Sequence, residues 1–190
     1  MKKEFKAFNG LQQKKDFYIE RMKKHIKADE LIQGTGYNGL KGCAVGCTLN
    51  NYSHIGYENE LGIPFTIAIW EDQIFEALSK EESKLFPLEF LESVPVGADL
   101  SKVFNHMEIF LLTNDEISII TTCKEDESKK LYLELIALHQ RTIDNKKVDG
   151  SEWKDIADRA YRAYIADIAD RADIADMLRT KFIELIKNCK

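Results

Sequence analysis

The sequence predicts an all-α fold, an irregular multi-helix domain that ends in a long alanine-rich helix. Three observations support this fold class. Apolar residues recur at three- and four-residue spacing in several segments. Only three prolines interrupt 190 residues. Near the C-terminus, alanine lies in the middle of seven consecutive triplets. With 44% hydrophobic residues, a chain of this length can bury a core without disulfide bonds.

The first predicted helices are bounded by local signals. Apolar spacing indicates a helix from Leu11 to Leu31, followed by a glycine-rich loop. A second helix should begin at Pro64, because proline is tolerated in the first helical turn. Ser79 and Glu82 form a capping-box pattern, in which each side chain accepts from the other's free backbone N–H. We therefore expect a third helix to start there.

Two prolines shape the following segment. Pro87 predicts a kink or break near Leu85–Phe86, since proline removes a helical hydrogen bond. Pro95 predicts a firm stop, because the residue before proline disfavours the helical region. We expect Asp99 or Ser101 to cap the next helix.

Two more helices are predicted before the C-terminal segment, at Asp115–Thr122 and Ser128–Thr142. The first contains ISIITT, whose β-branched residues also suit a strand. Asp144–Gly150 is polar and rich in turn-forming residues, which indicates a connector. We therefore divide the chain into a helical domain of residues 1–145 and a helix of residues 151–190 packed on it, together one domain.

The C-terminal segment Ser151–Lys187 is predicted to be one long helix. Its residues 156–176 read IAD RAY RAY IAD IAD RAD IAD. A three-residue step turns a helix by about 300°, so the alanines wind around its surface. Two readings remain open: a duplicated codon tract retained because alanine favours helices, or a surface for helix packing or homo-oligomerisation.

Charge and hydropathy exclude some classes of protein. A net charge of −5 argues against a general nucleic-acid binder. The basic N-terminal segment is interpreted as a solvated helix face. No apolar run reaches the roughly 18 residues of a membrane span, and the charged N-terminus lacks the apolar region of a secretory signal. We expect a cytoplasmic protein with free thiols.

A loop at residues 33–63 holds most of the chain's glycines and two of its four cysteines. Its glycines could bring backbone N–H groups, and Lys41, close to an anion, while Tyr37 or Tyr57 stacks on a base. GTGYNGLKG lacks the preceding strand and the Lys-Ser/Thr ending of known phosphate-binding loops, so a plain connecting loop is the alternative. The candidate ligand-binding residues are Gln33, Tyr37, Lys41, Gly42, Cys43, Cys47, His54, Tyr57 and Glu58.

Cys43 and Cys47 lie four residues apart and would share one face of a helix. They suit two buried residues that behave as small apolar side chains. A zinc site normally has four convergent N, S or O ligands, usually as two close pairs, and this segment offers one cysteine pair and a lone histidine, so we expect no metal or cofactor. A cysteine nucleophile with His54 as base and Glu58 as its orienting carboxylate is a further alternative.

Four motifs resemble those of a family of uncharacterised bacteriophage and prophage proteins. They are GCAVGCTL, YENELGIP, WEDQIFEAL and FLESVPVGADL, and the alanine-triplet tract is similar in style. The resemblance covers Ala28–Leu112 together with that tract. It implies a phage or mobile-element setting, in which proteins of this size often counter host defence. It brings no catalytic residues with it.

Three functions follow from these observations. The first, which we expect, is a non-enzymatic protein that sequesters a small anionic, nucleotide-like signal. The second is an interaction protein that inhibits a host factor. The third is an enzyme that uses Cys43 or Cys47 with His54.

Overall fold

The computed structural model describes residues 4–116, 120, 126–156 and 174–190. The described residues contain no strand, only isolated bridges from Gly42 to Leu31 and Tyr37, so the predicted all-α class is confirmed. Shorter helical pieces are a 3-10 turn at Ala7–Gly10, a π-helical turn at Tyr57–Leu61, and residues 150–156. The main helices are α1 (Gln12–Lys27), α2 (Ala44–Leu49), α3 (His54–Gly56), α4 (Phe65–Ala77), α5 (Lys80–Ser93), α6 (Val103–Thr113), α7 (Asp126–Ile143) and a C-terminal helix (Ala175–Lys187).

The chain forms two units. The first comprises Met1–Phe104 with Ala175–Lys190, and the second Asn105–Ile174. The predicted division between residues 1–145 and 151–190 stays a prediction. Within the described ranges, no helix is both long enough and apolar enough to cross a membrane.

Two predicted features fall largely or wholly on residues that the structure does not describe. The alanine-triplet tract lies mostly in residues 157–173, and its continuous helix and oligomerisation surface are outside the described ranges. The helix or strand expected at Asp115–Thr122 is likewise mostly outside them, although residue 120 is helical.

Helix α1 packs on α5 and α2 in the first unit. It buries Tyr18, Met22 and His25, whose spacing of four and three residues places them on one face. The helix ends at Lys27, before the predicted Leu31, and Asp29 just beyond it adopts a left-handed conformation with φ of 53°. The buried stripe confirms the predicted helix, and the left-handed residue redirects the chain into the loop.

Cations of α1 bind the C-terminal ends of neighbouring helices. Lys15 Nζ donates to the carbonyl oxygens of Glu92 and Val94, both at 2.7 Å, where α5 ends. Arg21 donates to the Thr48 carbonyl oxygen at 2.8 Å, in the last turn of α2. Carbonyls at helix C-termini have no partner within the helix and carry partial negative charge. Lys15 and Arg21 on the basic face of α1 therefore stabilise the ends of α5 and α2, in addition to contacting solvent.

The boundaries of α4 and of the start of α5 follow the predicted signals. Pro64 directly precedes α4. Ser79 and Glu82 form the predicted capping box, with both reciprocal hydrogen bonds present. The sequence therefore identified both helix starts correctly from local patterns.

Helix α5 continues through Pro87 to Ser93, so the break expected near Leu85–Phe86 does not occur. Phe86 and Phe90 are fully buried on the same helix. Burial of such side chains stabilises the continuous helix and offsets the roughly 3 kcal/mol that an interior proline costs. The helix does stop before Pro95, as predicted.

An aromatic stack forms the centre of the first unit. The Phe90 ring lies 6.4 Å from that of Tyr57 and 5.7 Å from that of Phe182, measured between ring centroids. Phe182 belongs to the C-terminal helix, which packs on α4 and α5. The end of the chain therefore completes a core begun by residues far earlier in the sequence.

Helix α7 confirms the helix predicted at Ser128–Thr142 and places His139 in the interior of the second unit. His139 Nδ1 lies 3.0 Å from Asn105 Oδ1, and its ring centroid is 4.8 Å from that of Trp153. Burial lowers the pKa of His139 from 6.5 to about 4, because desolvation disfavours the charged imidazolium.

We expect Lys15→Met to lower the free energy of unfolding by about 1–2 kcal/mol, because two carbonyls at the end of α5 lose a charged hydrogen-bond donor. Urea denaturation followed by circular dichroism measures this change. Lys27→Met removes the same charge from an exposed position of α1 and should change stability by less than about 0.5 kcal/mol. Equal effects of the two substitutions would contradict a capping role for Lys15.

Stability should fall as the pH decreases from about 6.5 toward 4. His139 has the lower pKa in the folded state, so the unfolded chain binds this proton first on acidification. Above about pH 6.5 the residue is neutral in both states and adds no pH dependence. Between pH 7 and pH 5 the free energy of unfolding should decrease by roughly 1–2 kcal/mol less in His139→Gln than in the wild type. Identical pH dependence of wild type and variant in urea denaturation would contradict the assignment.

Candidate functional site

The glycine-rich loop uses its own backbone donors internally. The N–H of Gly42 donates to the Glu30 carbonyl at 3.0 Å, and the N–H of Cys43 donates to the Thr35 carbonyl at 2.8 Å. The N–H of Ile32 donates in turn to the Gly42 carbonyl at 2.9 Å. An anion at this loop would have to compete with these bonds for the same amides.

Close backbone approach explains two of the loop glycines. The carbonyl oxygen of Gly36 lies so near that a Cβ on Gly46 would be 1.8 Å from it, and a Cβ on Gly42 would be 2.3 Å from it. Any side chain at either position would overlap the Gly36 carbonyl. These glycines therefore have a packing role whether or not the loop binds a ligand.

Gln33 caps α4. Its Nε2 donates to the carbonyl oxygens of Phe75 and Leu78, both at 2.8 Å, at the C-terminal end of the helix. The predicted binding residue thus has its amide N–H groups directed at main-chain carbonyls. It fixes the distance between the loop and α4.

Tyr37 and Lys41 are half-buried beside the same loop. The Lys41 N–H donates to Asn38 Oδ1 at 2.9 Å, which closes a tight turn. The Lys84 ammonium holds the pKa of the Asp29 carboxyl below its usual value, and the charge of Lys41 adds to this effect. Lys41 therefore already faces an acidic neighbour.

Tyr57 and Glu58 serve the core and a helix end. Tyr57 is fully buried, and its hydroxyl donates to Glu71 Oε2. Burial raises the pKa of the Glu71 carboxyl well above its usual value, so the protonated form is favoured. Glu58 Oε1 accepts from the Phe65 N–H at 3.1 Å, at the start of α4. The Tyr57 ring is thus inside the protein, away from any base bound at the surface.

Cys43 and Cys47 are buried free thiols, with exposures of 1% and 0%. Burial raises the pKa of both thiols, that of Cys47 to about 12. The thiolate is the nucleophilic form, and it is disfavoured at both positions. The structure confirms that both cysteines are buried, and a binding role for either stays a prediction.

His54 is held by a carboxylate that the sequence analysis did not consider. Its Nε2 lies 3.1 Å from Asp72 Oδ2 on α4, and the Tyr52 hydroxyl donates to the same oxygen at 2.9 Å. The Tyr52 and His54 rings meet edge to face at 5.1 Å. Asp72 therefore joins two residues that flank the start of α3.

Cys43, Asp72 and Glu76 form a second grouping, here called the Cys43 cluster. The thiol sulfur and one oxygen from each carboxylate lie within 4.8 Å of one another. Asp72 and Glu76 are four residues apart on α4, so both face the same side of the helix. Burial raises the pKa of Glu76, the Gly34 N–H opposes this rise, and the charge of Asp72 adds to it. Four-residue spacing was the only local signal for this pair.

A surface cavity of about 350 Å³ lies along α1, here called the α1 cavity. Phe17, which is 54% exposed, forms one part of its wall. The Arg21 guanidinium lies 4.6 Å from the centroid of the Phe17 ring. Lys24 and Asn50 also line the cavity. An exposed aromatic ring thus lies beside two cations.

His25 forms the floor of the α1 cavity and is fixed on both sides. Its Nδ1 lies 2.6 Å from Glu30 Oε2, and its Nε2 lies 2.9 Å from Asn50 Oδ1. This arrangement connects α1 to Glu30, which precedes the glycine-rich loop, and to Asn50 within residues 33–63. Spacing along the sequence does not predict the cavity, because Asn50 reaches α1 only through the folding of that loop.

No family model matches the chain, and no curated protein or solved structure is significantly similar to it. The resemblance to phage and prophage proteins therefore remains an expectation from the motifs.

We expect Cys43 and Cys47 to resist alkylation by iodoacetamide in the folded protein at pH 8, because both thiols are buried and protonated. Peptide mapping by mass spectrometry measures modification at each cysteine. Both should react readily in 6 M guanidinium chloride, which serves as the positive control. Rapid modification of either thiol in the folded protein would contradict this conclusion and would favour the cysteine-dependent enzyme instead.

Proposed function

We propose that the protein is a non-enzymatic binding protein for a small anionic molecule that carries an aromatic ring, such as a nucleotide. The observation that carries this proposal is the exposed Phe17 ring beside Arg21 and Lys24 in the α1 cavity. A nucleobase can stack on an exposed aromatic ring, and such stacking is worth roughly 1–3 kcal/mol. The neighbouring cations attract the phosphate.

Two carboxylates also line the α1 cavity, and both have cationic or imidazole partners. Glu30 contacts His25, as described above, and Glu20 Oε1 accepts from Lys23 Nζ at 3.1 Å. These contacts offset part of the repulsion that each carboxylate would exert on an anion. The Arg21 guanidinium is anchored to α2 through Thr48, which holds its position at the cavity.

The α1 cavity supports anion binding better than the loop residues predicted from the sequence. The amides of Gly42 and Cys43 already donate to carbonyl oxygens, and the Gln33 amide caps α4. The raised pKa values of the two buried thiols favour binding over cysteine catalysis. Sequestration of a host signalling nucleotide by a phage counter-defence protein is the finer form of this proposal, and the motif resemblance supports it.

An exposed apolar side chain favours a second candidate, inhibition of a host protein. Leu85 on α5 is 59% exposed and lines a surface cavity of about 360 Å³ together with Leu88 and Lys187. Exposed leucines of this kind contribute to protein interfaces when they belong to a larger apolar patch. This candidate uses a different surface from the α1 cavity.

We expect isothermal titration calorimetry with a panel of adenine and guanine nucleotides to show binding. Lys24→Glu should weaken this binding roughly three- to tenfold, because an attracting charge becomes a repelling one. Phe17→Ala should also weaken binding through the loss of stacking. Lys27→Glu makes the same charge change one turn further along α1, outside the cavity lining, and should change affinity less than about twofold.

Three outcomes would contradict the binding proposal. The first is the absence of binding by any nucleotide in the panel. The second is an equal loss of affinity in Lys24→Glu and Lys27→Glu, which would show general electrostatic attraction without a site. The third is conversion of the bound nucleotide to a product, detected by mass analysis of ligand released on denaturation, which would indicate an enzyme.

A further inference from the structure

The Cys43 cluster brings a thiol and two carboxylates together from two helices. Cys43 is the N-cap residue of α2, and Asp72 and Glu76 lie one turn apart on α4. Their donor atoms converge within 4.8 Å of one another. We propose that Cys43, Asp72 and Glu76 form a binding site for a divalent metal ion of the zinc class.

A poorly satisfied oxygen at the same place supports a missing ligand. Among the described residues, Asp72 Oδ1 is buried and accepts no N–H or O–H hydrogen bond, whereas Oδ2 accepts from Tyr52 and contacts His54. The other neighbour of this carboxylate is the Cys43 thiol, a weak donor, and after burial the contact with Asp72 is the next cause of the raised Cys43 pKa. A buried carboxylate oxygen with only a weak donor is poorly compensated for the water that it has lost. A bound cation at the cluster gives this oxygen a stronger partner.

The distances suit metal coordination after small movements. Zinc binds thiolate sulfur at about 2.3 Å and carboxylate oxygen at about 2.0–2.2 Å, so ligand atoms of a tetrahedral site lie about 3.3–3.8 Å apart. The present limit of 4.8 Å requires shifts of about 1 Å. Glu76 is exposed, so a shift of its carboxylate meets no packed core, although it lengthens or replaces the Gly34 hydrogen bond at Oε2.

The kind of donor selects the kind of metal. A thiolate is a soft ligand that favours zinc and related transition metals over magnesium and calcium. Three protein ligands leave a fourth coordination position for water or another small molecule. The Asp72 and Glu76 carboxylates repel each other, and the Cys43 cluster itself contains no cation. A bound metal ion would place a positive charge between them.

Neighbouring groups hold the carboxylates in position. The Gly34 N–H donates to Glu76 Oε2 at 2.7 Å, and Tyr52 and His54 hold Asp72 Oδ2. Contacts of this kind orient the ligands of known metal sites, and their loss typically lowers metal affinity 10- to 100-fold. Tyr52 and His54 act here as positioning residues.

Binding requires a balanced proton transfer. The S–H bond of Cys43 breaks, its proton passes to solvent, and a metal–sulfur bond forms; no electron is transferred. Metal affinity should therefore rise with pH, because protons compete with the metal for these ligands.

The test uses the full chain, stripped of metal by a chelator and titrated with Co²⁺, which has a charge-transfer absorption when bound to a thiolate. We expect one Co²⁺ per chain with this absorption, displacement by Zn²⁺, and loss of the absorption in Cys43→Ala. Glu76→Gln should lower Co²⁺ affinity at least tenfold. Two matched controls should bind Co²⁺ with wild-type affinity. They are Cys47→Ala, one turn further along α2, and Glu81→Gln, at an exposed position of α5.

Two results would overturn the metal site. One is the absence of Co²⁺ binding up to millimolar concentration. The other is Co²⁺ affinity that is unchanged in Glu76→Gln, which would place the metal elsewhere. The second result remains decisive if Cys43→Ala fails to fold, because Glu76 is exposed and its substitution leaves the core intact. The titration contains no nucleotide, so its outcome is independent of binding in the α1 cavity.

Discussion

The first unit depends on satisfying the carbonyl oxygens at the ends of its helices. Helices α2, α4 and α5 each end at a place where another segment supplies a donor. Arg21 serves α2, Gln33 serves α4, and Lys15 serves α5. Burial lowers the pKa of Lys15, which is the cost of bringing its charge away from water, although the charges of Glu92 and Asp16 act in the opposite direction. Side chains from α1 and the loop thus satisfy terminal carbonyl oxygens of three helices.

The same contacts position both candidate binding regions. Gln33 fixes the loop against the end of α4, and its neighbour Gly34 holds the Glu76 carboxylate of the Cys43 cluster. Arg21 binds α2 at Thr48 while its guanidinium lies over the Phe17 ring in the α1 cavity. Contacts at helix ends therefore orient groups at two separate surfaces.

Local sequence patterns predicted most of the described helices, because their signals lie within a few residues. The Ser79–Glu82 capping box is one such signal. Pro87 was misjudged, since the burial of Phe86 and Phe90 is a tertiary effect that a local rule does not contain. The sites were harder still. The approach of Cys43 to α4, or of Asn50 to the Phe17 side of α1, depends on chain packing that spacing along the sequence cannot reveal. The capping roles of Lys15 and Arg21 were missed for the same reason.

Glu71 gives the first unit a proton-dependent interior. Its carboxyl is fully buried and hydrogen-bonded to Tyr57 through one oxygen, and Oε1 has no partner among the residues that the structure describes. Since burial raises its pKa well above 4.5, the folded chain retains a proton that the unfolded chain releases near that pH. The contribution of this acid to stability is present at low pH and is lost as the pH rises above 4.5. As the pH rises above 4.5, folding is therefore coupled to proton uptake, and the proton acts on the folding equilibrium as a ligand that binds the native state.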